Sequence, residues 1–135
     1  MRETAEKFLG GNPNIHLIAP LAVDEMHNLM ARCYFVMTDS GGLQEEAPGL
    51  GKPVLVLRRE TERPEAIEAG TVKLAGVEEQ TILQMASTLF DSREAYEAMA
   101  HAVNPYGDGK TSQRIVQAIE QYFGKRADAP EPFVP

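Results

Sequence analysis

Residues 38 to 65, TDSGGLQEEAPGLGKPVLVLRRETERPE, gather small, acidic and basic residues around one apolar run. Ser40, Gly41 and Gly42 close the preceding apolar run, Tyr34 to Met37, and open a stretch of helical spacing marked by Leu43, Ala47 and Leu50. A Ser-Gly-Gly turn at a helix N-terminus presents backbone N–H groups that lack intrahelical acceptors, and without Cβ atoms an anion can approach them closely. The chemistry this fits is capture of a diphosphate. The same residues also fit a plain helix cap by Asp39 or Ser40.

Glu45 and Glu46 follow in the same helix. Adjacent helical residues point about 100° apart, so only one of them can face a ligand bound at the turn. That carboxylate could accept two hydrogen bonds from a vicinal diol such as ribose; otherwise both complement the helix dipole. Arg58, Arg59 and Arg63 follow the next apolar run, at the same edge, where a guanidinium can neutralise phosphate charge or pair with Glu60, Glu62 or Glu65.

Two familiar phosphate motifs do not fit. A dinucleotide fingerprint needs G-x-G-x-x-G, and a P-loop needs glycine where this chain has Glu46 and Ser or Thr where it has Pro53. GLGKP therefore reads as a turn feeding a strand. His16, His27 and His101 show no metal-ligand spacing, and Cys33 is the single cysteine, so neither a metal site nor an internal disulfide is expected. NPYGDGK is a loop of turn formers.

These residues need a scaffold. Continuous apolar runs at Ile15 to Ile18, Tyr34 to Met37, Val54 to Leu57 and Thr71 to Leu74 predict strands buried on both faces. Between the first two, Val23, Met26, Met30 and Cys33 form a helical stripe. Pro48 is expected to shorten or distort the helix after Ser40, and Pro64 with Gly70 brackets a short helix. Strand and helix alternating at this pitch predict an α/β fold with a parallel, Rossmann-like sheet and flanking helices. Beyond residue 76 only helices are expected. One is marked by Ile82, Met85, Ala86 and Leu89, a second is capped by Asp91 with Glu94, and the last carries Ile115, Val116, Ile119, Tyr122 and Phe123. ADAPEPFVP reads as an extended or disordered tail. The chain opens in a helix, RETAEKFLG, where an α/β domain ordinarily opens on a strand. The expectation is a domain, residues 1–124, lacking its opening strand or strands, followed by a tail at 125–135.

The chain of 135 residues is 43% hydrophobic and 24% charged, enough apolar content for one compact domain. Its formal net charge of −7 argues against nucleic acid as partner. No apolar stretch approaches the ~20 residues of a membrane span, and the N-terminus does not read as a signal peptide. A cytoplasmic setting is expected.

Thr38-Asp39-Ser40-Gly41-Gly42, then QEEAPGLGKPVLVLR, TERPEAIEAGT, KLAG and NPYGDG, closely resemble in order and spacing the C-terminal domain of bacterial non-hydrolysing UDP-N-acetylglucosamine 2-epimerases. The resemblance runs from about residue 1 to 124. It implies the C-terminal half of a two-domain GT-B architecture, holding most of the UDP. It assigns the phosphates to Ser40, Gly41 and Gly42, the ribose to Glu46 and a further binding role to Arg63. It places Met26 where relatives often carry an aromatic residue against the uracil, and Arg59-Glu60-Thr61 where they commonly have Asp-Thr-Thr. The implied reaction interconverts UDP-GlcNAc and UDP-ManNAc without cofactor or metal. The resemblance places the catalytic carboxylates and histidine in preceding sequence, so no catalytic residue is assigned here and the fragment alone is expected to be inactive. Implied partners are UDP, UDP-N-acetylhexosamine, the N-terminal domain and a second copy in a homodimer. A GT-B glycosyltransferase would share such a domain, and a receiver-like module could use Asp39 as phosphoacceptor; the motif set favours the epimerase.

Overall fold

The structure is a computed structural model that describes residues 2 to 134. Three parallel strands, β1 (Val36–Thr38), β2 (Val54–Val56) and β3 (Val72–Leu74), form a sheet in the order β1-β2-β3. Helices α1 (Arg2–Leu9) and α2 (Val23–Arg32) precede it, and α3 (Gly41–Gly49) and α4 (Pro64–Ala69) connect the strands. Then come α5 (Glu79–Asp91), α6 (Arg93–Ala100) and α7 (Thr111–Tyr122).

The central strand explains the layering. Successive side chains of a strand point to opposite faces, and all of β2 is fully buried. Val54 and Val56 pack with Met30 of α2, Ala47 of α3 and Ala66 of α4 on one face. Leu55 packs with Leu89 of α5 and Met99 of α6 on the other. A continuous apolar run is what a strand covered on both sides requires. Tyr34 stacks on Tyr96 and Phe90, and the Tyr96 hydroxyl donates to the Tyr34 carbonyl at 2.8 Å, which ties α5 and α6 to the entry of β1.

The breakers act where expected. Pro48 lies in the last turn of α3. Gly51 then adopts φ 67° and turns the chain into β2. Pro64 starts α4, and Gly70 ends it with φ 83°, a left-handed geometry that glycine reaches at little cost.

Several expectations need correction. Residues 15–18 form no strand: a strand needs backbone partners as well as apolar side chains, and β1 pairs only with β2 among the described residues. Ile18 is 61% exposed there. Asp91 does not cap α6. It closes α5 instead, and the Ser92 hydroxyl accepts from the Ala95 N–H at 3.1 Å. Val23 lies outside the buried stripe of α2, which narrows to Met26, Met30 and Cys33. The last helix forms, but Ile115, Val116, Ile119, Tyr122 and Phe123 all remain exposed. Residues 126–134 have no regular structure; Arg114 donates to the Glu131 carbonyl and stands over the Phe133 ring.

Candidate functional site

The carboxyl ends of β1 and β2 lead into two turns that meet. The first, residues 39–40, is set by the buried Thr38, whose hydroxyl accepts from the Ser40 N–H at 3.0 Å. Ser40 is the N-cap of α3, with extended backbone, and its side chain makes no capping bond. First-turn N–H groups have no acceptor within their own helix, so those of Gly41 and Gly42 face outward with the positive end of the helix dipole. A Cβ on Gly41 would stand 3.1 Å from the Glu62 Oε1, and one on Gly42 would stand 3.6 Å from the Glu46 Oε1. Both glycines therefore keep space open beside carboxylates.

The paired glutamates diverge as helix geometry demands. Glu46 turns toward α2, where its Oε2 lies 3.1 Å from the His27 Nε2. Glu45 turns the other way and accepts from the Arg63 Nε. This contact raises the Arg63 guanidinium above its ordinary range, through the hydrogen bond first and the charge of Glu45 next. Arg58 pairs with Glu62 at 2.8 Å, and Arg59 with Glu78 at 3.5 Å. Glu62 is held below the usual carboxylate range by its own backbone N–H above all, with Arg58 and Arg63 adding to that. Beside Glu46, a cavity of about 280 Å³ is lined by His27, Glu46, Gly49 and Leu50.

Ser40, Gly41, Gly42 and Glu46 thus form one cluster at the start of α3, with Arg63 against the neighbouring Glu45. Met26 is half-buried against the cluster of Met30, Ala47 and Val54, so its contacts are with the core between α2 and α3. The adjacent His27 is the residue of α2 that reaches Glu46.

Sequence reasoning assigned no site role to His27, Gln44 or Thr61. Gln44 is fully buried. Its Nε2 donates to the Ser40 carbonyl at 3.2 Å, and its Oε1 accepts from the Thr61 hydroxyl at 2.9 Å. Thr61 in turn accepts from the Arg63 N–H at 3.1 Å. The available signal was a glutamine three residues before Ala47 on the apolar stripe, since a polar residue on a buried face must find partners.

The chain matches the family model described as UDP-N-acetylglucosamine 2-epimerase over residues 1–120. It belongs to that family. A Bacillus subtilis relative, UDP-N-acetylglucosamine 2-epimerase, is 52% identical over 133 residues, covering 98% of this chain and 35% of the relative. Among solved structures, the S. aureus MnaA–UDP co-structure superposes with TM-score 0.90 at 50% identity, covering 98% of this chain and 36% of that one. The Neisseria meningitidis UDP-GlcNAc 2-epimerase bound to UDP-GlcNAc gives TM-score 0.84 at 48% identity, covering 89% of this chain and 33% of that one. The structures of this family have the GT-B fold, and the parallel sheet with flanking helices described above is its counterpart in this chain. The chain spans about a third of the length of the relatives it matches. Among the described residues, no helix is long and apolar enough to cross a membrane.

Proposed function

We propose that this chain is the nucleotide-holding part of a UDP-GlcNAc 2-epimerase, the C-terminal portion of a two-domain enzyme. The observation that carries the reading is the cluster at the start of α3, where outward N–H groups at Gly41 and Gly42 adjoin the Glu46 carboxylate, in a chain similar to proteins solved with UDP and with UDP-GlcNAc. The diphosphate lies on the helix N-terminus, where dipole and donors favour an anion. Glu46 accepts from the ribose hydroxyls, and Arg63 supplies positive charge as it leaves Glu45. Met26 and His27 border the base.

In the reaction, a base takes the proton from C2 as the C1–O bond breaks and UDP departs with its electron pair. UDP then adds back at C1, and a proton returns to the opposite face of C2. Substrate and product are UDP-GlcNAc and UDP-ManNAc. The contribution of this chain is to hold the leaving group in place through both halves of the reaction, which keeps the reacting atoms oriented. The proton-transfer groups come from an N-terminal domain, and the working unit is a homodimer in the cytoplasm. Residues 1–124 form the UDP-binding unit and 125–135 its tail.

The divergence of the glutamates supplies the test. Calorimetry with UDP should show Glu46→Gln weakening binding by about 1.5–3 kcal/mol, the range for charge-assisted hydrogen bonds. Glu45→Gln releases Arg63 and should leave affinity equal or raised. Equal losses in the two variants would count against the ribose role of Glu46.

A further inference from the structure

We propose that Gln44, acting with Thr61, is a positioning residue that sets the phosphate-facing turn and the arginine-bearing turn at a fixed orientation to each other. The inference rests on the diphosphate reading of the Ser40 to Gly42 turn given above.

Gln44 sits on the buried face of α3 beside Ala47 and Pro48. A residue of similar size without polar atoms would fill that place with no amide to satisfy. The amide instead joins two segments of the chain. Its Nε2 and its backbone N–H both donate to the Ser40 carbonyl, at 3.2 and 3.4 Å. A peptide unit is planar and trans, so its C=O and N–H point in opposite directions. Holding the Ser40 carbonyl toward the protein therefore aims the Gly41 N–H outward, at the place assigned to the phosphates.

At its other end the amide accepts from Thr61, which accepts from the Arg63 N–H. The hydroxyl of Thr61 has one proton, and giving it to Gln44 leaves its lone pairs for Arg63. Donor direction is thus consistent from Arg63 through Thr61 to Gln44, and again from Gln44 to Ser40. Both elements proposed to meet phosphate are referenced to one buried side chain. Glu46, proposed to meet the ribose, is held from α2 through His27 and lies outside this relay.

That separation makes the role testable. The 135-residue chain is titrated with UDP and with uridine, which keeps the ribose and base but has no phosphate. Gln44→Met, which preserves bulk and removes both bonds, should lose about tenfold in UDP affinity while uridine affinity stays within about twofold. Thr61→Val should behave alike, and Thr61→Ser, which keeps the hydroxyl, should restore UDP binding. Unchanged UDP affinity in Gln44→Met and Thr61→Val, or parallel losses for UDP and uridine, overturns the inference. If Gln44→Met fails to fold, the Thr61 pair decides alone. UDP binding by the parent chain with unaltered variants defeats the positioning role only; a parent chain that does not bind UDP defeats the diphosphate reading and the positioning role with it.

Discussion

Gly41 does its work by the volume it leaves open. Its φ lies outside the left-handed region, unlike that of Gly70, so an alanine there is conformationally acceptable. The added Cβ would stand 3.1 Å from the flexible tip of Glu62, which can shift by a few tenths of an ångström. Alanine is also the better helix former. Gly41→Ala should therefore leave the thermal midpoint equal or higher, while UDP affinity falls about tenfold or more because the methyl group occupies the anion's approach. Parallel melting curves and UDP titrations check this, and an alanine variant binding UDP as tightly as the parent would remove the phosphate from this turn. The glycines, Ser40 and the glutamates were legible in sequence because each is a local choice of residue type. Arg58 pairs with Glu62, one of the partners the local run offered, but the partners of Arg59 and Arg63 lie outside that run. Arg63 meets Glu45, eighteen positions away in the chain, through a strand and two turns, and nothing in the run RRETERPE encodes that distance.

At the scale of elements, the loop between α6 and α7 shows how a turn-rich motif serves the core. Tyr106 packs against the buried cluster formed by β2, β3 and helices α2 to α4, and its hydroxyl has no hydrogen-bond partner among the described residues. Burial, with the carboxylates of Glu65 and Glu45 next, pushes the phenol up to about 12, and Arg63 opposes them. An acid whose folded pKa is raised stabilises the fold fully below its unfolded value, and that contribution is lost as pH rises through the folded value. The loss from Tyr106 should thus fall between about pH 10, the ordinary phenol value, and about pH 12. Tyr106→Phe should flatten the fall in denaturation midpoint across that window, relative to Tyr122→Phe, which alters a side chain 84% exposed. Identical slopes in the two variants would refute it. At neutral pH Tyr106→Phe should be neutral or slightly stabilising, since it removes an unsatisfied buried hydroxyl.

Sequence patterns identified β2, α2, α4 and α7 because continuous runs, stripes and Pro-Gly brackets are internal to each element. The same logic misread residues 15–18. An apolar run states that a segment can be buried on both faces, yet strand pairing is a property of two segments, and among the described residues β1 pairs only with β2. The Asp91 cap failed for a related reason: Asp91 still belongs to α5, and Ser92 is the residue with the extended backbone that a cap needs.

For the whole molecule, binding and chemistry are expected to separate. The chain spans about a third of its relatives, and three carboxylates near its proposed phosphate turn are engaged: Glu45 with Arg63, Glu46 with His27 and Glu62 with Arg58. Proton transfer at C2 of the sugar needs an acid or base within about 2.6–3.2 Å of the proton it moves. Groups holding the nucleotide at one end of the substrate do not meet that demand at the other. The 135 residues should accordingly bind UDP yet exchange no hydrogen at C2 of UDP-GlcNAc in D₂O. Adding the separately prepared N-terminal portion should restore exchange, because it brings a proton-transfer group to a leaving group already in place. The same addition to Arg63→Ala should restore less, since the phosphates then lack that cation. Deuterium read by mass spectrometry at C2 distinguishes the cases. Exchange by these residues alone, unaffected by Arg63→Ala, would mean that the chain carries its own acid/base pair and that the division of labour is wrong.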